Sequence, residues 1–328
     1  MTTVVLLSYG SMVEARRALF AAHSVFAHLP IPSEITKVLI FTDQRRSFEP
    51  SLRKLPIDYV ELTREWIGEV IRPFGYIHRL KIAVIEEAIR RTNGSVLFLD
   101  SDTFCMSNLN RIAKLITEGH CVMHFREHTF AKLRDFPLPG TVQAIYRFMN
   151  GGTVTLTSGN ELRLSDSLLS WNSGVVGLHR THARFLPDVF AVCDQIYAAT
   201  ENRVSEQYAF DVVLQKNLAI RPADCVVYHY WHDVKKKIFD EFIDTRVNEL
   251  WLASDLESRF AAVRDWTQEL PDHIATHPLA LEDMALRCLA EKRRAAALVW
   301  AARGVSRRKR LNPAFTRRFI QELRRTLQ

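Results

Sequence analysis

The sequence has 328 residues, of which 47% are hydrophobic and 25% charged; this is a globular composition, which excludes a disordered or collagen-like chain. It holds no run of about twenty apolar residues, which excludes a membrane-spanning helix. The net charge of +7 is uneven: from Arg287 onward thirteen basic residues face only Glu291 and Glu322, a local +11 that leaves −4 for the rest.

In chain order, 2–9 reads as a strand, apolar and β-branched at its start. No basic region or cleavage site precedes it, so it is not read as a signal peptide. With five scattered cysteines in no zinc spacing, the expectation is a cytoplasmic protein with reduced thiols. Residues 13–29 carry Ala15, Leu19, Ala22, Val25 and Phe26 at helical spacing. Strands follow at 37–43 and 58–62, then a helix at 76–90 with Ile77, Leu80, Ala83, Val84 and Ala88 on one face. Ser95 to Leu99 is a sixth element, apolar enough to be a strand buried on both faces. This β-α-β-β-α-β order predicts an α/β fold, a mainly parallel sheet with flanking helices.

Beyond it, 108–118 reads as a helix, 120–126 as a strand, 136–140 as a Pro-rich loop and Asn150-Gly151-Gly152 as a tight turn. The loops of 136–155 are expected to shape an acceptor pocket. A strand is predicted at 171–179, helices at 182–200 and 205–217, and a short strand around 226–228 that runs into His229-Tyr230-Trp231-His232. The chain is helical from about 239. Two domains are expected, 1–240 and a helical extension 241–328. In the last helix Phe315, Phe319, Leu323 and Leu327 form one stripe, with Arg317, Arg318, Arg324 and Arg325 off it.

Chemistry concentrates at Asp100-Ser101-Asp102, where the apolar strand ends. Open α/β sheets bind ligands at the carboxyl ends of their strands. Side chains at i and i+2 of an extended chain point the same way, so two carboxylates there suit a hard divalent cation that bridges to phosphate. The competing reading is a helix cap. Asn172-Ser173-Gly174 offers small hydrogen-bonding groups suited to sugar hydroxyls, or an ordinary turn. Glu206-Gln207 opens a helix after Ser205, as a Ser-capped first turn or as groups aimed into a pocket. His229 can complete a metal shell, and a lysine of Lys235-Lys236-Lys237 can neutralise a leaving diphosphate.

The order of these motifs over residues 2–240 resembles the nucleotide-diphospho-sugar transferases of the GT-A fold, closest to glycosyltransferase family 8. That resemblance implies a Rossmann-like sheet and a metal-dependent hexosyltransferase, moving sugar from a nucleotide sugar, UDP-linked by expectation, to a glycan or lipid-linked hydroxyl with retention of configuration. It implies Asp100, Asp102 and His229 as ligands of Mn2+ or Mg2+, with Asp100 shared with the ribose. Tyr9 and Asp43 would lie near the base, Arg79 and Lys81 near ribose and diphosphate, and Asn172, Ser173 and Gly174 along the donor sugar. Glu206 and Gln207 would face the reacting carbon, and Lys235 the departing phosphate. The family's pattern after the histidine has a glycine and a Pro-Trp pair that this chain lacks, and Glu206 stands where aspartate is commoner. A haloacid-dehalogenase-type phosphatase also uses Asp-X-Asp, but there it follows the first strand. A nucleotide-sugar- or carbohydrate-binding protein without turnover is the other alternative.

The basic tail reads either as a peripheral anchor on anionic lipid, its aromatic stripe in the interface, or as a helical face packed on the body or on a second subunit. Nucleic acid is not expected, because aromatic interleaving is sparse.

Overall fold

The computed structural model describes residues 1–135, 140–310 and 312–326, and the chain divides into two units, Met1–His229 and Tyr230–Gln328. The strands of the first are β1 (Thr2–Ser8), β2 (Ile35–Thr42), β3 (Ile57–Glu61), β4 (Ser95–Leu99), β5 (Thr103–Cys105), β6 (His120–Met123), β7 (Arg126–Thr129), β8 (Thr153–Thr155), β9 (Glu161–Arg163), β10 (Leu169–Trp171), β11 (Val175–Leu178), β12 (Ala219–Pro222) and β13 (Val227–His229). Its helices are α1 (Met12–Ala27), α2 (Glu49–Leu52), α3 (Arg64–Val70), α4 (Arg79–Thr92), α5 (Asn110–Ala113), α6 (Gly140–Met149), α7 (Leu186–Thr200) and α8 (Ser205–Asn217).

Seven strands form the central sheet in the order β12-β6-β11-β4-β1-β2-β3. Every neighbouring pair is parallel except those of β11, which runs antiparallel to β4 and β6. Alternation along the strands divides the core in two. Val5, Leu39, Phe41 and Phe98 meet Ile82 and Ile85 of α4, Val189 and Val192 of α7 and Phe210 of α8. Val4, Leu6, Val38, Ile40 and Leu99 meet Ala15, Ala18, Ala22 and Val25 of α1. Each large apolar side chain so buried contributes about 1.5–3 kcal/mol, which is why the predicted mainly parallel sheet with helices on both faces is the fold obtained.

Three local predictions are revised. The strand expected over 171–179 is two strands, β10 and β11, separated by Asn172-Ser173-Gly174. The strand at 120–126 ends at Met123, because His124 and Phe125 give their backbone bonds to Asn172. The helix at 108–118 shrinks to α5. Of the loop stretch 136–155, residues 136–139 lie outside the described residues.

Two pairings position the site. Because β11 is antiparallel to β4, its first residue Val175 pairs with Leu99. The Asp100 N–H then donates to the Gly174 carbonyl at 2.9 Å. Asn172-Ser173-Gly174 is thereby set against the end of β4. Separately, β13 pairs antiparallel with β5, His229 opposite Thr103, so the histidine arrives beside Asp102 from 127 residues away.

The second unit is helical: α9 (Asp233–Arg246), α10 (Glu249–Ala253), α11 (Leu256–Thr276), α12 (Pro278–Ala290), α13 (Arg294–Arg308) and α14 (Pro313–Arg325). It begins earlier than the 240/241 boundary read from sequence: Tyr230 stacks on Phe239 at 4.0 Å, which keeps α9 with this unit. Asn312 caps α14, accepting from the N–H groups of Ala314 and Phe315. Phe315 and Phe319 are each only 8% exposed and pack on Ala285, Cys288, Leu289 and Ala297, with Leu323 alongside. The lipid-inserting stripe is therefore corrected: its rings fill the unit's own core, and Leu327 lies outside the described residues. Arg317, Arg318, Arg324 and Arg325 stay exposed. Among the described residues no helix is long and apolar enough to cross a membrane.

Candidate functional site

Among the described residues one group of carboxylate and imidazole side chains could hold a metal ion: Asp100, Asp102 and His229, whose ligand atoms lie within 4.8 Å of one another. Asp102 and His229 are buried. Asp102 Oδ1 is 3.1 Å from His229 Nε2, and Asp100 Oδ2 is 4.0 Å from the same nitrogen.

The surroundings decide how the imidazole is turned. The Asn172 amide donates from Nδ2 to Glu127 Oε1 at 3.1 Å, and its Oδ1 accepts the Gly174 N–H at 3.0 Å. Oδ1 must then also face His229 Nδ1, 2.7 Å away, and only a protonated Nδ1 satisfies that contact. Nε2 is left facing the Asp102 carboxylate. A lone pair and a carboxylate repel at that distance unless a cation lies between them. A proton meets that need; so does a metal ion, which is the ordinary arrangement of a ligating histidine whose other nitrogen is held by a hydrogen bond. The donor set therefore fits a divalent cation.

Gly174 is required by the histidine. A Cβ at this position would lie 2.2 Å from His229 Nδ1 and 2.4 Å from Cε1. The room that the glycine leaves is taken by the imidazole.

Lys81, 7% exposed, reaches the other side of the carboxylates. Its Nζ donates to Asp100 Oδ2 at 2.9 Å and Ser173 Oγ at 3.0 Å, and lies 3.4 Å from Glu206 Oε1. Burial by itself lowers the lysine's pKa, but the charges of Asp100 and Glu206, with Asp102 beyond, outweigh it and raise it above the ordinary value. Arg79 goes elsewhere. Two residues apart on α4, Arg79 and Lys81 point to different sides of the helix, and Arg79 pairs with both oxygens of Asp194, at 2.8 and 3.1 Å, with its guanidinium over Phe190. The structure thus spends Arg79 on the α4–α7 contact rather than bringing it to the carboxylates.

Glu206 and Gln207 turn inward. Ser205 does not cap α8: the N-cap position is Val204, without a side-chain cap, and the Ser205 hydroxyl donates to the Asn202 carbonyl at 2.7 Å. Glu206 is 3% exposed and accepts from the Tyr76 hydroxyl at 2.6 Å. Burial and the Glu206 charge raise the Tyr76 pKa, so it remains a donor. Gln207 accepts the Ser173 N–H at 3.2 Å and donates to Glu127 Oε2 at 3.1 Å.

Tyr9 and Asp43 follow β1 and β2 on the same edge of the sheet. The Asp43 carboxylate accepts the Gly10 N–H at 3.1 Å, and burial with the Asp43 charge raises the Tyr9 pKa. Lys235 belongs to α9 of the second unit, where burial and Arg287 lower its pKa.

Sequence reasoning missed Tyr76, Glu127, Ser170 and Asp211. Asp211 had a signal, a single carboxylate inside Ala209-Phe210-Asp211-Val212-Val213. It is buried and accepts the Trp171 N–H at 3.0 Å. Burial first, then the charges of Glu127 and Glu206, raise its pKa well above the carboxylate range despite that bond.

No family model and no curated protein matches the sequence. Among solved structures, the galactosyltransferase LgtC in complex with donor and acceptor sugar analogues aligns over 66% of this chain and 72% of its own, at 15% identity and a TM-score of 0.44. An active-site mutant of LgtC aligns over the same shares at 13% identity and a TM-score of 0.45. Overlaps this partial leave the functional reading to rest on the geometry of the site.

Proposed function

We propose that this chain is a metal-dependent glycosyltransferase of the GT-A type, which moves a hexose from a nucleoside-diphosphate sugar to a hydroxyl of a glycan or lipid-linked saccharide. The observation that carries it is the convergence of Asp100, Asp102 and His229 at the carboxyl end of β4, with Lys81, Glu206 and Gln207 beside them. A cation held by the three ligands would neutralise charge on a diphosphate. The mixed carboxylate and imidazole set suits Mn2+ better than the harder Mg2+.

The remaining roles belong to the chain itself. Tyr9 and Asp43, at the ends of β1 and β2, would hold the nucleoside, and a UDP-sugar is the donor we favour. Asn172 and Ser173 line the approach to the carboxylates. Glu206, braced by Tyr76 and Lys81, keeps a buried negative charge available to a sugar carbon that becomes positive as its bond to phosphate breaks. In a front-face transfer the acceptor oxygen bonds the anomeric carbon, the carbon–phosphate oxygen bond breaks, and the acceptor proton passes to the departing phosphate, with configuration retained. The exposed arginines of α14 supply charge for an anionic surface that carries a lipid-linked acceptor, while Phe315 and Phe319 stay in the core of their unit.

The test is nucleoside-diphosphate release from a panel of nucleotide sugars with and without MnCl2. The expected result is Mn2+-dependent release that is lost in Asp102→Ala, and an anomeric proton coupling in the product that reports retention. Mn2+-dependent stabilisation by a nucleotide sugar without any release would replace the transferase by a binding protein.

A further inference from the structure

We propose that Glu127 is a positioning residue for the metal site: through Asn172 it dictates that His229 turns Nε2, not Nδ1, towards Asp102. The geometry carries this without reference to the reaction catalysed, though its value to the chain rests on the metal reading above. Glu127, at the second position of β7, accepts three side-chain hydrogen bonds. Ser170 Oγ and Gln207 Nε2 donate to Oε2 at 3.1 Å each, and Asn172 Nδ2 donates to Oε1 at 3.1 Å. A carboxylate accepts and cannot donate, so it admits only the NH2 end of Asn172.

The consequence passes along the amide. With Nδ2 on Glu127, Asn172 Oδ1 faces His229 Nδ1 at 2.7 Å and the Gly174 N–H at 3.0 Å. Were the amide turned over, its NH2 would meet the Gly174 N–H, donor against donor, and its carbonyl would meet a carboxylate. Glu127, seconded by the Gly174 N–H, therefore selects the Nδ1–H tautomer at a distance of two hydrogen bonds. The same carboxylate holds Gln207, whose Oε1 accepts the Ser173 N–H at 3.2 Å, and Ser173 Oγ accepts from Lys81 at 3.0 Å. One side chain thus tensions both the imidazole and the lysine sides of the Asp100–Asp102 pair.

The test uses 15N-histidine-labelled full-length chain, with the His229 ring signals identified by their loss in His229→Gln. In the metal-free native chain, at a pH where the ring carries one proton, the shifts should report Nδ1–H with the lone pair on Nε2. In Glu127→Ala they should move towards a mixture of tautomers, and Mn2+ affinity, read by the EPR signal of free Mn2+, should fall about tenfold, the lower end for loss of an outer partner of a ligand. In a His229→Gln background, Glu127→Ala should change Mn2+ affinity little, since the two act through one group. A native chain whose neutral His229 is Nε2–H would overturn the role even if no variant folds. So would ring shifts in a folded Glu127→Ala chain identical to the native ones. Native tautomer as expected with no Mn2+ binding would leave Glu127 its positioning role and remove the metal from the proposed function, so the two failures are separable.

Discussion

Gly174→Ala perturbs the site by one methyl group. The φ of Gly174 lies outside the left-handed region, so on backbone grounds alone the substitution would stabilise by about 0.4–1 kcal/mol through the unfolded state. The tertiary structure reverses that sign. The new Cβ would sit 2.2 Å from His229 Nδ1, 2.4 Å from Cε1 and 2.8 Å from Cγ, where non-bonded heavy atoms prefer roughly 3.5 Å or more. The ring must move by about 1 Å, which breaks the 2.7 Å bond to Asn172 or the 3.1 Å approach to Asp102. Overpacking costs about 1–3 kcal/mol, and the lost hydrogen bond about 1 kcal/mol more. The expected outcome is a chain less stable by about 1–3.5 kcal/mol net, with Mn2+ binding weakened at least tenfold, about 1.4 kcal/mol. Urea unfolding of both chains and Mn2+ titration by EPR read the two effects. A Gly174→Ala chain as stable as the native one, with unchanged Mn2+ affinity, would refute the packing of His229 against this residue.

Lys81→Met strands Asp100 and Glu206 without their buried cation and should cost about 3 kcal/mol; an unchanged urea midpoint would mean that the lysine holds neither. Tyr76→Phe removes the 2.6 Å donor to Glu206 and should cost about 2 kcal/mol while lowering sugar transfer; full activity would free Glu206 from needing its brace. For Asp211 the folded-state pKa is raised, so the native chain binds the proton more tightly than the unfolded one. Its contribution is present below the unfolded carboxylate pKa and is lost as pH rises towards the folded value. Asp211→Asn should therefore flatten the fall in melting temperature above about pH 4, and parallel pH profiles for the two chains would contradict the burial of that carboxyl as a charge-sensitive group. Phe319→Ala should destabilise the second unit by about 3 kcal/mol, leaving adsorption to anionic vesicles, if present, to the exposed arginines; loss of adsorption without loss of stability would return the ring to a lipid-facing role.

Much of this was legible in local pattern. Fully apolar Val96–Leu99 and the alternating helices told of a parallel sheet, because burial on both faces leaves little room for polar residues in a strand. The abrupt Asp-X-Asp at its end pointed to the ligand-binding edge. The helical stripe of Phe315, Phe319 and Leu323 was equally visible, yet its destination was not: the same spacing serves a lipid surface or a protein core, and only the presence of Ala285, Cys288 and Leu289 opposite it decides between them.

Residue order alone showed which side-chain types could do chemistry and where the strands would deliver them. Tertiary structure decided their partners. One antiparallel strand, β11, turns Asn172-Ser173-Gly174 onto the end of β4, and the β5–β13 ribbon carries His229 to Asp102. Opposite directions on α4 send Lys81 to the carboxylates and Arg79 to Asp194. The physical reason is that hydrogen-bond partners across more than a hundred residues are set by strand direction and register, which no local spacing encodes. Glu127, with no motif around it, gains its meaning only from the three donors that the fold gathers on its carboxylate.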